Sequence, residues 1–196
     1  MTGSVRYTPP DAAGIARLTL SNPGKLNALS VAMWRELRMH VAKLNKHSDG
    51  VRVVIVCGEG GQFASGGDIE EFPQFRFDAA TLARFHEEDV RPALQALLDC
   101  DLPLLAQIDG ACIGGGLEVA MAGSMIFAAP DAQLGQPEMK LGVFAPAASV
   151  LLPYRVNAAV AEDLLLSGRS VGAAEAREIG LVHTIADDPT AAALAW

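Results

Sequence analysis

The sequence predicts a single α/β domain spanning residues 1–196. Three observations predict it. Short apolar runs, residues 51–57 (VRVVIVC) and 102–109 (LPLLAQID), have the length and composition of strands covered on both faces. Between them lie stretches with helical spacing of apolar residues, the clearest over residues 31–46. Two glycine-rich crossings, residues 58–72 and 109–123, follow directly on the buried strands, where loops that approach ligands are usually placed.

The elements follow in order. Residues 16–22 alternate Leu18 and Leu20 with polar neighbours and read as a strand. Pro23 and Gly24 turn the chain, and Lys25 offers an exposed cation. Ser30 is an N-cap for a helix whose apolar face is Trp34, Leu37, Val41 and Leu44. After the strand at 51–57, the stretch opened by Pro73 carries Phe75, Phe77 and Phe85 without an assignable period. Val90, Leu94, Leu97 and Leu98 form the next helix face, and residues 102–109 the next buried strand. Residues 124–130 read as a strand, 133–138 as a strand or turn, and 159–166 and 173–178 as helices. Gly180 caps the last of these, and residues 181–185 form a short strand. No linker, low-complexity segment or exact repeat divides the chain. Residues 187–189 read as weakly structured, and the chain ends at Trp196 without a closing helix. A C-terminal piece is therefore expected beyond it, and Leu164, Leu165 and Leu181 are expected to face water without it.

Composition narrows the function. The chain is 51% hydrophobic and 19% charged, which suits a globular protein and argues against disorder. A net charge of −8 argues against a general nucleic-acid binder, though not against an anionic small ligand held by local cations. Cys57, Cys100 and Cys112 show no metal spacing and read as reduced core thiols of a cytoplasmic protein. The four histidines are scattered, so no metal site is expected. No run is long and apolar enough to span a bilayer, and no apolar signal segment opens the sequence.

The chemistry concentrates at 109–123, DGACIGGGLEVAMAG. Gly114, Gly115 and Gly116 stand just before Glu118 and an apolar helical run. Glycine lets a ligand approach the main chain, and the first N–H groups of a helix have no intrahelical acceptor. An oxygen gaining negative charge would be stabilised there. The same pattern also fits a close-packed turn with an acidic first-turn residue. A dinucleotide fingerprint fails on spacing, and so do a phosphate-binding P-loop and a G-x-S-x-G serine elbow around Ser65. Glu138, beside Pro137, is a second candidate carboxylate. Spacing alone does not bring Glu118 and Glu138 together; only the fold could.

Four segments resemble the enoyl-CoA hydratase/isomerase (crotonase) superfamily in the family's order, and the likeness runs from Arg17 to Ile185. They are LTLSNPGKLNALS from Leu18, FASGGDI from Phe63, IDGACIGGGLE from Ile108 and AQLGQPEMKLGVF from Ala132. The resemblance implies a spiral of ββα units and a trimer, often doubled to a hexamer, with helices near the C-terminus at the interface. It implies an acyl-CoA thioester as substrate, with no separate cofactor, metal, nucleic acid or membrane partner. Residue by residue, it implies main-chain oxyanion donors at Ser65 and Gly115 and catalytic carboxylates at Glu118 and Glu138. Lys25, Leu26 and Ala28 match the first CoA-contacting loop. Ala64, Gly66, Gly67, Asp68 and Ile69 match the second, and Gly114 lies at the oxyanion turn. Asp68 reads as structural, accepting amides in its turn.

The activity implied is hydration of the α,β double bond of an enoyl-CoA. Isomerisation, thioester hydrolysis, decarboxylation, or non-catalytic binding of acyl-CoA or protein are the alternatives. Two departures from the family pattern stand out. A usually glycine-rich run is here Val143–Phe144–Ala145–Pro146–Ala147–Ala148, similar to the branch that hydrates alicyclic dienoyl-CoA thioesters such as cyclohexa-1,5-diene-1-carbonyl-CoA. The second departure is the end at Trp196.

Overall fold

The structure is a computed structural model that describes residues 3–196. The chain begins with a hairpin of β1 (Ser4–Thr8) and β2 (Ile15–Ser21), paired antiparallel with Val5 opposite Leu20. Helix α1 (Val31–Lys46) has the predicted bounds, and Ser30 Oγ accepts the Met33 N–H as its cap. Its buried face holds Trp34, Leu37, Val41 and Leu44 as spaced. Each such side chain contributes about 1.5–3 kcal/mol relative to exposure. Strand β3 (Val53–Gly58) follows.

The stretch left unassigned from Pro73 onward is helical. It contains α2 (Phe72–Phe75), α3 (Ala79–Arg84) and a π-helical turn (Phe85–Val90), and it runs into α4 (Arg91–Leu98), the helix expected there. Asp78 caps α3 by accepting the Thr81 N–H. No simple apolar period marks this stretch because short pieces of different pitch succeed one another. Leu98 does not join the buried face of α4; it is exposed, whereas Val90, Leu94 and Leu97 are buried.

Next come β4 (Leu104–Ile108), β5 (Ala111–Ile113), α5 (Gly115–Ala122), β6 (Met125–Ala128) and β7 (Gln133–Gly135). A 3-10 turn (Pro137–Leu141) leads to α6 (Pro146–Arg155), which sequence reading missed, and α7 (Ala158–Ser167). Then β8 (Ser170–Gly172), α8 (Ala173–Glu178), β9 (Thr184–Ile185) and α9 (Pro189–Ala195) complete the chain. Gly180 closes α8 as expected: its N–H meets the Arg177 carbonyl, and the Leu181 N–H reaches back to Ala176.

Two expectations about the last residues fail. The 187–189 stretch is a helix start, because Asp188 accepts the Ala191 N–H and Pro189 fits the first helical turn. Helix α9 lays Ala193 on Ile55, Leu105 and Phe127, the outer face of the sheet. Leu164 and Leu181 are buried in the main core rather than facing water, and Leu165 packs against it.

Six strands form one sheet in the order β1-β2-β3-β4-β6-β9, parallel from β2 onward. A second sheet has the order β5-β7-β8. The chain therefore repeats one move. After β4 it steps out to β5, and after β6 to β7, before a helix or turn returns it. After β3, Ala64 makes the same step through a bridge to Cys112. This is the expected spiral of strand pairs and helices. The glycine-rich crossings are its steps outward, so the ends of the second-layer strands gather on one side.

Candidate active site

Helix α5 is buried from Gly116 to Ala122, so it carries Glu118 into the interior. The Glu118 carboxylate is held from outside its own helix. Its Oε1 accepts the Ala148 N–H at 3.2 Å. Ala148 is in the first turn of α6, whose N-cap Ala145 has no side-chain acceptor. Glu118 thus caps α6, satisfying an amide that would otherwise lack a partner. The far end of α6 returns the support: Arg155 Nε donates to the Met121 carbonyl at 2.9 Å and its Nη1 to Ser124 O at 3.1 Å. The run 143–148 therefore leads into and begins helix α6.

Glu138 arrives from the other layer. Strands β5 and β7 pair in parallel, with Cys112 opposite Leu134 and Ile113 opposite Gly135. Gly114 N–H donates to Gly135 O at 2.9 Å, so the turns leaving both strands lie side by side. That register brings Glu138 to the glycine turn. The two carboxylates line one cavity together with Gly115, Trp34, Arg76 and His86.

The three glycines of the turn answer three different neighbours. Gly114 has φ +53°, and a Cβ there would stand 2.9 Å from Glu138 Oε1. A Cβ on Gly115 would stand 2.9 Å from the Trp34 ring, and one on Gly116 2.6 Å from the Ala64 carbonyl. Gly115 is the first residue of α5, so its N–H has no intrahelical acceptor.

Burial raises the Glu118 pKa to about 7, helped by the charge of Glu138 and opposed by the Ala148 N–H. Burial also raises Glu138, against its own main-chain N–H and the Arg76 cation. Glu138 Oε2 is buried and has no hydrogen-bond partner. The cavity thus holds one carboxyl group that exchanges its proton near neutrality and a second whose free oxygen can accept or deliver one.

The Glu118 shift makes a stability prediction. Its folded pKa lies above the unfolded value, so charging it in the interior costs stability as pH rises from about 4.5 through about 7. Glu118→Gln keeps an oxygen for the Ala148 N–H and removes that charge. The variant is expected to gain on the order of 3 kcal/mol over the parent chain at pH 8 and little at pH 4, read by urea unfolding at both pH values. An equal gain at both would show that desolvation does not govern this group.

The other sequence-expected residues divide. Gly67 and Asp68 line the same cavity, whereas Ile69 is exposed and Ala64 is fully buried in the bridge to β5. Asp68 has the structural role expected. Its Oδ1 accepts the Glu70 N–H at 3.1 Å, and its Oδ2 receives Lys25 Nζ at 2.7 Å. Burial pushes this carboxyl up, but Lys25 and the Glu70 amide outweigh it and leave the pKa below its usual value. Lys25 is not a free cation; it is paired with both Asp68 and Glu70 at 2.7 Å. Ala28 is buried, Leu26 is exposed, and the Leu29 N–H meets the Gly66 carbonyl at 2.7 Å, so the two loops are laced together.

Ser65 departs from the expected picture. Its N–H donates to the Leu26 carbonyl at 3.0 Å, so that amide already has an acceptor. Its hydroxyl donates to the Lys25 carbonyl at 3.1 Å, so Ser65 is not poised as a nucleophile.

Sequence reading missed Arg76 and His86 at the cavity. Arg76 sits 4.3 Å from the Phe72 ring centroid, and Phe75 stacks on Phe85 at 4.1 Å. Burial lowers the His86 pKa, and Arg76 adds to that, so both favour the uncharged imidazole. No motif marks either residue; the unassigned phenylalanines were the only available signal. Among the described residues no cluster of His, Cys, Asp and Glu could hold a metal ion, and no helix is long and apolar enough to cross a membrane.

Two carboxyl groups lining one cavity beside the open Gly115 amide define a protein equipped for acid–base chemistry. The chain belongs to the enoyl-CoA hydratase/isomerase family, whose pattern it matches over residues 11–192. It is 44% identical over 182 residues to the cyclohexa-1,5-dienecarbonyl-CoA hydratase of Thauera aromatica, covering 93% of this chain and 67% of that protein. It is 38% identical over 177 residues to a probable enoyl-CoA hydratase of Bacillus subtilis, covering 89% and 66%. The chain thus spans about two thirds of the length of these relatives. Among solved structures, an enoyl-CoA hydratase/carnithine racemase from Magnetospirillum magneticum superposes with a TM-score of 0.90 at 31% identity, over 100% of this chain and 72% of that one. The enoyl-CoA hydratase of Thermoplasma volcanium gives 0.88 at 32% identity, over 97% and 75%.

Proposed function

We propose that this chain hydrates the α,β double bond of an enoyl-CoA thioester. The observation that carries the reading is the convergence of Glu118 and Glu138 on one cavity, with Glu118 raised to about 7 by burial and by its neighbour. An isomerase needs only one carboxylate, so the pair favours hydration.

The chemistry follows from the parts. The thioester oxygen lies at the Gly115 amide, and Gly67, the other glycine lining the cavity, offers the second amide, since the Ser65 N–H is held by the Leu26 carbonyl. Polarisation of the carbonyl makes Cβ electrophilic; losing one such donor typically costs about 2.7–4 kcal/mol of transition-state stabilisation. The two carboxyl groups hold one water between them. Glu118 takes a proton from it as its oxygen bonds to Cβ, and the electron pair of the double bond moves toward the carbonyl. Glu138 supplies a proton to Cα, and the enolate returns to a thioester. Because the two groups interact, the proton inventory belongs to the pair.

The acyl group we assign is a flat, unsaturated ring. Trp34, Phe72, Phe75 and Phe85 line the cavity, and such a rigid aromatic wall suits a planar acyl group better than a flexible chain. The likeness to the Thauera aromatica enzyme supports the same choice. Assembly as a homotrimer or hexamer belongs to this reading, supported by the exposed Val150 and Tyr154 on α6 and Leu166 on α7.

A turnover assay with crotonyl-CoA, a long straight-chain enoyl-CoA and a cyclic dienoyl-CoA tests the proposal. Hydration of the cyclic thioester with the highest kcat/KM is the expected result. Double-bond migration or release of free CoA without hydration would move the reading to another branch of the family.

A further inference from the structure

We propose that the indole N–H of Trp34 orients the attacking water, donating a hydrogen bond to the oxygen that bonds to Cβ and keeping it in the hydroxyl product. The proposal deepens the hydration reading and rests on it.

Trp34 is fixed at the cavity. Its main-chain N–H donates to the Ser30 carbonyl at 3.2 Å in the first turn of α1, and its side chain lines the cavity with Gly115, Glu118 and Glu138. Only 2% of the residue is exposed. The ring is wedged against the glycine turn: a Cβ on Gly115 would stand 2.9 Å from Cζ2 and 3.5 Å from Cη2. Cζ2 adjoins the carbon bonded to Nε1, so the ring carries its N–H near the turn that receives the thioester oxygen.

That N–H is an orphan. Nε1 is buried and makes no hydrogen bond to the protein. A buried donor left without an acceptor is costly, and a phenylalanine would supply an aromatic ring without that cost. Among the described residues, the buried side-chain polar atoms in this condition sit on Trp34, Gln136 and Glu138. Trp34 and Glu138 line the cavity. Gln136 is beside it: its Oε1 would lie 3.9 Å from a Cβ on Gly114, where Glu138 Oε1 would lie at 2.9 Å. Packing accidents would scatter such atoms through the core, whereas these gather at the glycine turn.

The two that line the cavity are complementary. The indole nitrogen can only donate, and Glu138 Oε2 can accept. They do not bond each other. A molecule that accepts from one and donates to the other satisfies both, and water is the smallest that does. The thioester cannot take this place, because its carbonyl oxygen has no hydrogen to give Glu138 and belongs at the Gly115 amide. Water is also the co-substrate of the proposed reaction.

The third contact matters to the chemistry. Two carboxyl groups fix the hydrogens of a water but leave its lone pairs undirected. A donor from Trp34 takes one lone pair and leaves the other to face Cβ, so three of the four tetrahedral directions are held by the protein. On attack, one proton passes to Glu118 and the free pair bonds to Cβ as the π pair moves toward the carbonyl. Glu138 supplies the Cα proton. The second hydrogen of the water stays on the product hydroxyl, whose oxygen keeps the Trp34 hydrogen bond.

The test has a crystallographic arm and a kinetic arm. The parent chain is crystallised with butyryl-CoA, a saturated thioester that offers no double bond. The expected result is a water within hydrogen-bond distance of Trp34 Nε1 and of both carboxyl groups, next to Cβ. A complex without that water, or with the thioester oxygen on Nε1, would overturn the proposal, as would failure to bind butyryl-CoA. In the kinetic arm, Trp34→Phe keeps an aromatic ring and removes the N–H. Its kcat for hydration is compared with its rate of Cα hydrogen exchange on butyryl-CoA in heavy water, which uses the oxyanion amide and Glu138 but no attack by water. Hydration is expected to fall on the order of tenfold, the worth of one lost hydrogen bond, and exchange far less. Equal losses in both would overturn the orienting role and leave Trp34 as packing. If the variant does not fold, the water in the parent complex decides alone. A water held by Trp34 in a parent that hydrates no enoyl thioester would leave the contact standing and remove the hydratase reading.

Discussion

Glu138→Gln is expected to lower kcat by a factor on the order of 10²–10⁴, with KM changed far less. The carboxyl group lines the cavity with Glu118, and its Oε2 makes no hydrogen bond to the protein. An unpartnered buried oxygen is expensive to keep unless something that enters the cavity uses it. The amide preserves shape and volume but can neither take nor release a proton at that atom. Because no bond to the protein is lost at Oε2, the thermal midpoint should stay near that of the parent. Turnover of the best enoyl-CoA and a melting curve on the same preparation check both statements. Unchanged turnover would take Glu138 out of the mechanism; a collapsed melting curve would show that its role is structural.

Gly114→Ala is expected to have the second-largest effect. The residue has φ +53° and ψ −122°, a conformation that costs a non-glycine residue on the order of 1–3 kcal/mol. The added Cβ would also stand 2.9 Å from Glu138 Oε1, closer than real contacts allow. A carboxylate at the end of a side chain can move aside, so the fold survives by displacing the Glu138 carboxyl group. A displacement of about 1 Å can cost about 10²-fold in rate. The expected outcome is a lowered melting temperature together with a kcat loss larger than the fraction unfolded explains. A destabilised variant with full kcat per folded molecule would show that the Gly114–Glu138 approach does not matter to the chemistry.

Local rules read much of the scaffold from the sequence. Helix α1 was legible because Ser30 caps it and its apolar face repeats at helical spacing; both are interactions within one turn or one face. The buried strands were legible because a run covered on both sides must be apolar throughout. Helix α6 was not legible, although Pro146 stands at its start, because Pro153 lies inside it and its cap is Glu118, distant in sequence. The weakly structured reading of residues 187–189 fails at α9 for a simpler reason: Asp188 is a cap followed by a first-turn proline.

The sequence by itself, through its resemblance to the family, determined the class of protein and the spiral of strand pairs, and it singled out Glu118, Glu138 and the glycine turn as candidates. Those follow from residue types in a fixed order, and such order is written along the chain. The tertiary structure alone decided that Glu118 and Glu138 share a cavity, because they are joined by the parallel register of β5 and β7. It alone decided that Arg76 and His86 stand at that cavity, and that the Lys25 ammonium and the Ser65 amide already have partners. Each of these depends on which distant segments meet and how deeply they are buried. Pairing partners and burial set proton affinity and hydrogen-bond occupancy, and neither is a property of a residue's neighbours in sequence.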